Sequence, residues 1–255
     1  HEKAGIYRPG RPAVCADPAP PPRLLEHARA IGARLLRVGS DYGFSRAGVT
    51  WRWWSDEARL DALPSPALAG EHQLRNAAAA LMTLISLRDR LPVDAAAIRA
   101  GLARARLPGR FQVVSGPVEW ILDVAHNPAA AATLADQLRG RACAGRTRAI
   151  LGLLADKDAD GVIQALASVV DEWHPVTLAA GTRGRSGADL AARLRSADPQ
   201  TVIPHDDIAE ACHIARDRAD VGDRIVVLGS FHLVAPVLAA QPWIPDFSLP
   251  HSRET

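Results

Sequence analysis

The sequence is poor in lysine. Of 30 Lys and Arg residues among 255, only Lys3 and Lys157 are lysine, and arginine serves wherever else a cation stands. Cysteine is scarce too. Cys15, Cys143 and Cys212 lie far apart, too few for a disulfide framework and without metal-site spacing, which points to a reducing compartment. No apolar run reaches the ~18 residues that a membrane span needs, and no signal peptide is visible. Charge of one sign is also lacking. The 30 basic residues stand against 28 Asp and Glu, a formal +2, so no whole-protein field draws nucleic acid. These absences predict a cytoplasmic protein whose partners are small molecules, with neither nucleic acid nor a membrane among them. The chain opens on His1 rather than Met, which suggests a fragment that lacks an N-terminal part.

What is present reads as two regions. Residues 1–23 are punctuated by Gly and Pro, with a short strand expected at 13–16. Periodicity predicts a helix over 24–34, short strands and turns over 35–54, and a strong helix over 70–90 that Pro92 stops. Two prolines make 63–68 a loop. Asp94 is the expected N-cap of a helix to about Arg104, and LPGR at 107–110 is a turn. Beyond Gly116 the pattern changes. Strands are expected at 120–124, 148–154, 176–180, 201–204 and 224–230, each followed by a helix; the first helix opens on Asn127-Pro128 and the last lies near 233–238. Alternation five times over argues an α/β fold with a doubly wound parallel sheet. Ligands in such sheets sit beyond the carboxyl ends of the strands.

The chemistry-bearing residues follow those ends. Asp123 and His126, in DVAHNP, can hold a ribose, a phosphate or a metal, or Asp123 simply caps a turn. Lys157, in ADKD, offers a point charge to a carboxylate, or marks a solvated helix start. Ser230, in GSFH, presents a hydroxyl at the sheet edge, or is an N-cap beside a packed His232. Arg110, on its Pro-Gly turn, reaches a phosphate or makes a hinge salt bridge. Gln73 and Asn76, three apart on a helix, suit adenine, or are helix-start polarity. Lys3 stands where arginine does not, as a compact charge or an amine able to react, or by chance. A Ser–His–Asp hydrolase of Ser230, His126 and Asp123 is rejected, because no G-x-S-x-G elbow is present.

Six segments occur together and in order: EKAGIYRPGRPAV (2–14), HQLRNAAAAL (72–81), LPGRFQVV (107–114), LDVAHNPAAA (122–131), LGLLADKD (151–158) and VLGSFH (227–232). In these the chain resembles the folylpolyglutamate synthase and dihydrofolate synthase family of the Mur ligase superfamily. LADKD is closer to the bacterial bifunctional form. The resemblance implies a monomeric ligase using ATP and Mg²⁺ to join L-glutamate to dihydropteroate or a folate through an acyl phosphate. It implies that Lys3 is carbamylated and holds Mg²⁺, and that Gln73 and Asn76 contact adenine. It gives Arg110 and Asp123 to ATP, with His126 near the phosphates, and Lys157 and Ser230 to glutamate. Residues 1–115 would be the back half of the ATP-binding domain, 116–241 a Rossmann-like glutamate-ligase domain, and 242–255 a tail. The family's phosphate loop and its further Mg²⁺ ligands are missing from this sequence, so the chain by itself is expected to be inactive. The alternatives are a Mur-type cell-wall ligase, against which GSFH and EKAGI argue, and a non-catalytic nucleotide- or glutamate-binding module.

Overall fold

The computed structural model describes residues 2–68, 70–197 and 201–242, so the expected tail beyond Pro242 lies outside the described residues. The chain forms two compact units, His1–Arg106 and Leu107–Thr255.

In the first unit a 3-10 turn over Glu2–Ile6 leads to strand β1 (Pro12–Cys15). Helix α1 (Pro22–Ala30) starts on a proline, whose missing N–H costs nothing in a first turn. It stops short of the expected residue 34. Gly32 turns left-handed at φ 67° and the Ala33 amide closes onto the Ala28 carbonyl at 2.9 Å. The turn releases β2 (Arg34–Arg37) to pair in parallel with β1. An antiparallel meander follows: β3 (Tyr42–Ala47), β4 (Thr50–Ser55) and β5 (Arg59–Pro64).

Residues 63 and 64, expected in a loop, belong to β5. Proline is tolerated at the last position of an edge strand, and the Pro64 carbonyl takes the Trp51 indole N–H at 2.8 Å. Alternation along β4 turns Trp51 and Trp53 inward, where they pack with Leu63 against α2 (Glu71–Ser86) and against Ile98 of α3 (Ala95–Arg104). The Trp53 indole donates to the Ala78 carbonyl at 3.0 Å. Helix α2 ends at Ser86 rather than 90, because Leu87 and Arg88 close i→i−3 bonds that tighten the last turn. Asp94 caps α3, accepting the Ala97 amide at 2.7 Å.

The second unit is a six-stranded sheet in the order β10-β9-β8-β11-β7-β6, parallel except at β6. Its strands are β6 (Gln112–Val114), β7 (Glu119–Asp123), β8 (Thr147–Leu151), β9 (Glu172–Pro175), β10 (Thr201–Val202) and β11 (Arg224–Leu228). Because β6 pairs with β7, this unit begins before the expected boundary at 115/116. Its helices are α4 (Pro128–Arg139), α5 (Ala159–Leu166), α6 (Gly187–Ala197), α7 (Ile208–Asp217) and α8 (Phe231–Ala240). Successive strand residues point to opposite faces, so the sheet has two cores. Ile121, Leu151, Val226 and Leu228 pack with Leu134 of α4, Val162 of α5 and Leu190 of α6. Leu122, Ile150, Ile225 and Val227 pack with Cys212 of α7 and Leu233 and Val237 of α8. The mostly parallel, doubly wound architecture expected from sequence is the one observed. Asn127 caps α4 through the Ala130 amide at 2.9 Å, a contact worth about 1 kcal/mol.

The third parallel strand is not at 176–180 but earlier, at Glu172–Pro175. Val176 keeps only an isolated bridge to His205. Strand β9 buries Glu172 and His174, which no hydropathy pattern predicts. Distant groups make this possible. Arg218 donates to both Glu172 oxygens at 2.6 and 3.2 Å, His174 Nε2 lies 2.9 Å from Glu172, and His205 Nε2 lies 3.0 Å from His174 Nδ1. Arg148 approaches Glu172 at 3.6 Å and pairs with Asp223. Burial alone would raise the Glu172 carboxyl, but Arg218 and His174 outweigh it and hold it below its usual value. The same burial pushes His174 down to about 4. An ionised Glu172 only accepts, so His174 carries its proton on Nε2 and accepts from His205 at Nδ1.

Candidate active site

The topology makes a switch point at the carboxyl edge of the sheet. Strand β11 inserts between β7 and β8, yet α8, which follows it, packs on the face opposite α4 and α5. Loops leaving adjacent strands therefore diverge at the carboxyl edge, the arrangement in which open α/β sheets bind ligands. Asp123 ends β7, Ser230 follows β11, and Lys157 lies in the loop after β8. The strand residues before them are in register, with Leu228 facing both Asp123 and Leu151. At this edge Gly229 takes φ 116°, and a Cβ there would lie 2.3 Å from the Gly152 carbonyl oxygen. Glycine is what lets the exits of β11 and β8 approach.

Asp123 is buried and directs both oxygens at backbone. Oδ2 accepts the Phe111 amide and Oδ1 the Ala125 amide, each at 2.7 Å. The LPGR turn carrying Arg110 is pinned at several points. Arg110 N meets the Leu107 carbonyl, Gly109 N meets Gln112 Oε1 at 3.1 Å, and Val124 N meets the Gly109 carbonyl at 2.9 Å. Gly109 has φ 68°, and a Cβ would meet Val234 at 2.9 Å and Val124 at 3.2 Å. Phe111, though not glycine, has φ 44°. Such strain persists only where its surroundings over-determine it. The Arg110 side chain is exposed; its Cζ lies over the Phe231 ring, 5.9 Å from the centroid.

His126 Nδ1 lies 2.9 Å from the Val124 carbonyl. A carbonyl only accepts, so Nδ1 carries hydrogen and Nε2 is the position left for a ligand. Asn127 and Ser230 cap α4 and α8, whose first-turn amides favour an anion at this edge. Ser230 Oγ accepts the His232 amide at 3.1 Å and keeps its own proton to donate.

Lys157 Nζ pairs with Asp156 at 2.9 Å, which holds the Asp156 carboxyl below its usual range. The loop is fastened by Arg185, whose Nη2 donates to the Ala155 and Lys157 carbonyls at 2.8 and 3.1 Å while Nη1 meets Asp189 at 2.6 Å.

In the first unit Asn76 Nδ2 donates to Gln73 Oε1 at 3.1 Å. That bond uses the Gln73 oxygen as acceptor and an Asn76 N–H as donor. Lys3 stands in the opening 3-10 turn, and its side chain lies outside the described ones. Among the described residues no group of three or more His, Cys, Asp or Glu is disposed to hold a metal ion. Phe231 and Arg185 were not singled out in the sequence. The FH of GSFH and an arginine after a glycine are weak signals there, and both residues act across long chain separations.

Fold and edge geometry define a class. Residues 109–231 match the Mur ligase glutamate ligase domain. The chain is also homologous to the dihydrofolate synthase/folylpolyglutamate synthases. It is 38% identical to the Escherichia coli member over 237 residues, covering 93% of this chain and 53% of that protein. Its fold superposes on Escherichia coli FolC, solved with DHPP and ADP, with TM-score 0.82 at 38% identity over 93% of this chain and 55% of that one. It also superposes on a bifunctional folylpolyglutamate synthase/dihydrofolate synthase solved with Mn, AMPPNP and L-glutamate, with TM-score 0.81 at 41% identity over 94% and 55% of the two chains. The chain spans about half the length of the curated relatives it matches.

Proposed function

We propose that the protein is an ATP-dependent amide ligase that joins L-glutamate to the carboxyl group of dihydropteroate or a folate. The observation that carries the reading is the gathering of Asp123, His126, Lys157 and Ser230 at the carboxyl ends of three adjacent strands, in order β8-β11-β7. The relatives' bound ADP, AMPPNP and L-glutamate support it.

In this reading the first unit belongs to the ATP-binding domain and the second to the glutamate-ligase domain. Gln73 and Asn76 offer their amides to adenine, Asp123 receives ribose hydroxyls, and Arg110 donates to phosphate oxygens with His126 alongside. A substrate carboxylate oxygen attacks the γ-phosphorus and ADP leaves, giving an acyl phosphate. The glutamate amine then attacks the acyl carbon, the C–O bond to phosphate breaks, and the amine gives up a proton. Lys157 and Ser230 hold glutamate through its carboxylates while this happens. Both steps gather negative charge on oxygen, so preorganised donors supply much of the acceleration. Lys3, after reaction with carbon dioxide, would present carbamate oxygens to Mg²⁺, which guanidinium cannot do. Magnesium, when bound, neutralises phosphate charge.

The test is ADP release by the protein expressed from its complete reading frame, with L-glutamate and either dihydropteroate or a muramyl nucleotide. Release that depends on dihydropteroate or a folate is expected. Release with the muramyl nucleotide alone would assign the chain to cell-wall synthesis.

A further inference from the structure

We infer that Phe231 is a positioning residue that steers the Arg110 guanidinium toward a phosphate oxygen; the inference rests on the ATP-binding role proposed for Arg110. The backbone around Arg110 is pinned by the Gly109, Phe111 and Val124 contacts, yet no carboxylate pairs with its side chain among the described residues. Its guanidinium lies over the Phe231 ring, 5.9 Å from Cζ to centroid. Phe231 opens α8 and is 58% exposed, so the ring does little for the core beneath it. A large aromatic left at a helix start, directly after Ser230 and beneath a cation with no carboxylate partner among the described residues, serves as a platform. A guanidinium held over a ring keeps its in-plane N–H donors free, the edge that a phosphate oxygen needs. The ring thus limits where a long flexible side chain points before ligand arrives.

The test is a double-mutant cycle read by ADP affinity, using the protein from its complete reading frame. An exposed cation–π contact predicts that Phe231→Ala weakens ADP about two- to fivefold, with the KM for glutamate unchanged. In an Arg110→Ala background the same substitution should have no effect. Phe231→Trp should restore affinity, and its indole fluorescence should change when Arg110→Ala is added. Because the ring is exposed, these variants should fold, and a thermal melt checks that. Equal weakening in both backgrounds would overturn the inference, since the ring would then act without Arg110. No weakening by Phe231→Ala, with Arg110→Ala still deleterious, would also overturn it but leave the ATP reading standing. Unchanged ADP affinity in Arg110→Ala would remove Arg110 from the nucleotide site and the inference with it.

Discussion

Asp123 Oδ2 accepts the backbone amide of Phe111 at 2.7 Å, twelve residues back along the chain. This bond fastens the LPGR turn to the end of β7, so the carboxylate and the arginine expected from sequence to share one nucleotide are joined through backbone. The left-handed φ of Phe111 costs on the order of 1 kcal/mol, which a charge-assisted bond offsets.

Asp123→Asn keeps the size of the side chain but supplies only one acceptor oxygen. One of the two amides would then face an NH₂ group. We expect the second unit to lose about 1–3 kcal/mol in urea unfolding and ADP binding to weaken with it. Unchanged stability would mean that the carboxylate does not hold the turn.

Lys157→Met removes the charge and keeps the apolar stem. We expect the KM for glutamate to rise at least about tenfold while the KM for ATP stays put. The exposed pair with Asp156 adds little stability, so the melting temperature should barely move. A glutamate KM equal to the parent's would take Lys157 out of the substrate site.

The buried His174 gives a pH signature. Its folded value is lowered to about 4 from 6.5, so the unfolded chain binds the extra proton first as pH falls. Stability is therefore fully present above about pH 6.5 and is lost as pH drops toward 4, by on the order of 2–3 kcal/mol. Glu172 and Asp223, both lowered, add losses of the same sign at more acidic pH. Urea midpoints from pH 7.5 to 4.5 measure this, and His174→Gln should flatten the upper part of the slope. A flat profile in the parent would contradict the network.

Much of this was legible in the sequence, for local reasons. Asn127-Pro128 and Asp94 announce their helices because caps are encoded within four residues. The alternation of strand and helix after Gly116 follows from periodicity. What escaped depends on distant partners. Strand β9 reads as polar, since Glu172 and His174 are satisfied by Arg148, Arg218 and His205, far along the chain. Strand β5 runs into a proline, which only its edge position permits. The Asp123–Phe111 bond and the Arg110–Phe231 contact join residues that no local pattern couples. The caps on Asn127 and Ser230, by contrast, sit inside the motifs DVAHNP and GSFH.

Lys3→Arg preserves charge but cannot form a carbamate. In the protein from its complete reading frame, the account expects ADP release to vanish while circular dichroism and the melting curve stay those of the parent. Near-parental turnover would remove the carbamate from the mechanism.

The central claim is an acyl phosphate attacked by glutamate, and isotope transfer tests it most directly. Dihydropteroate labelled with ¹⁸O in its carboxylate should pass one labelled oxygen to each inorganic phosphate released, because the bridging oxygen leaves with the phosphoryl group. Phosphate free of label during amide formation would contradict the account.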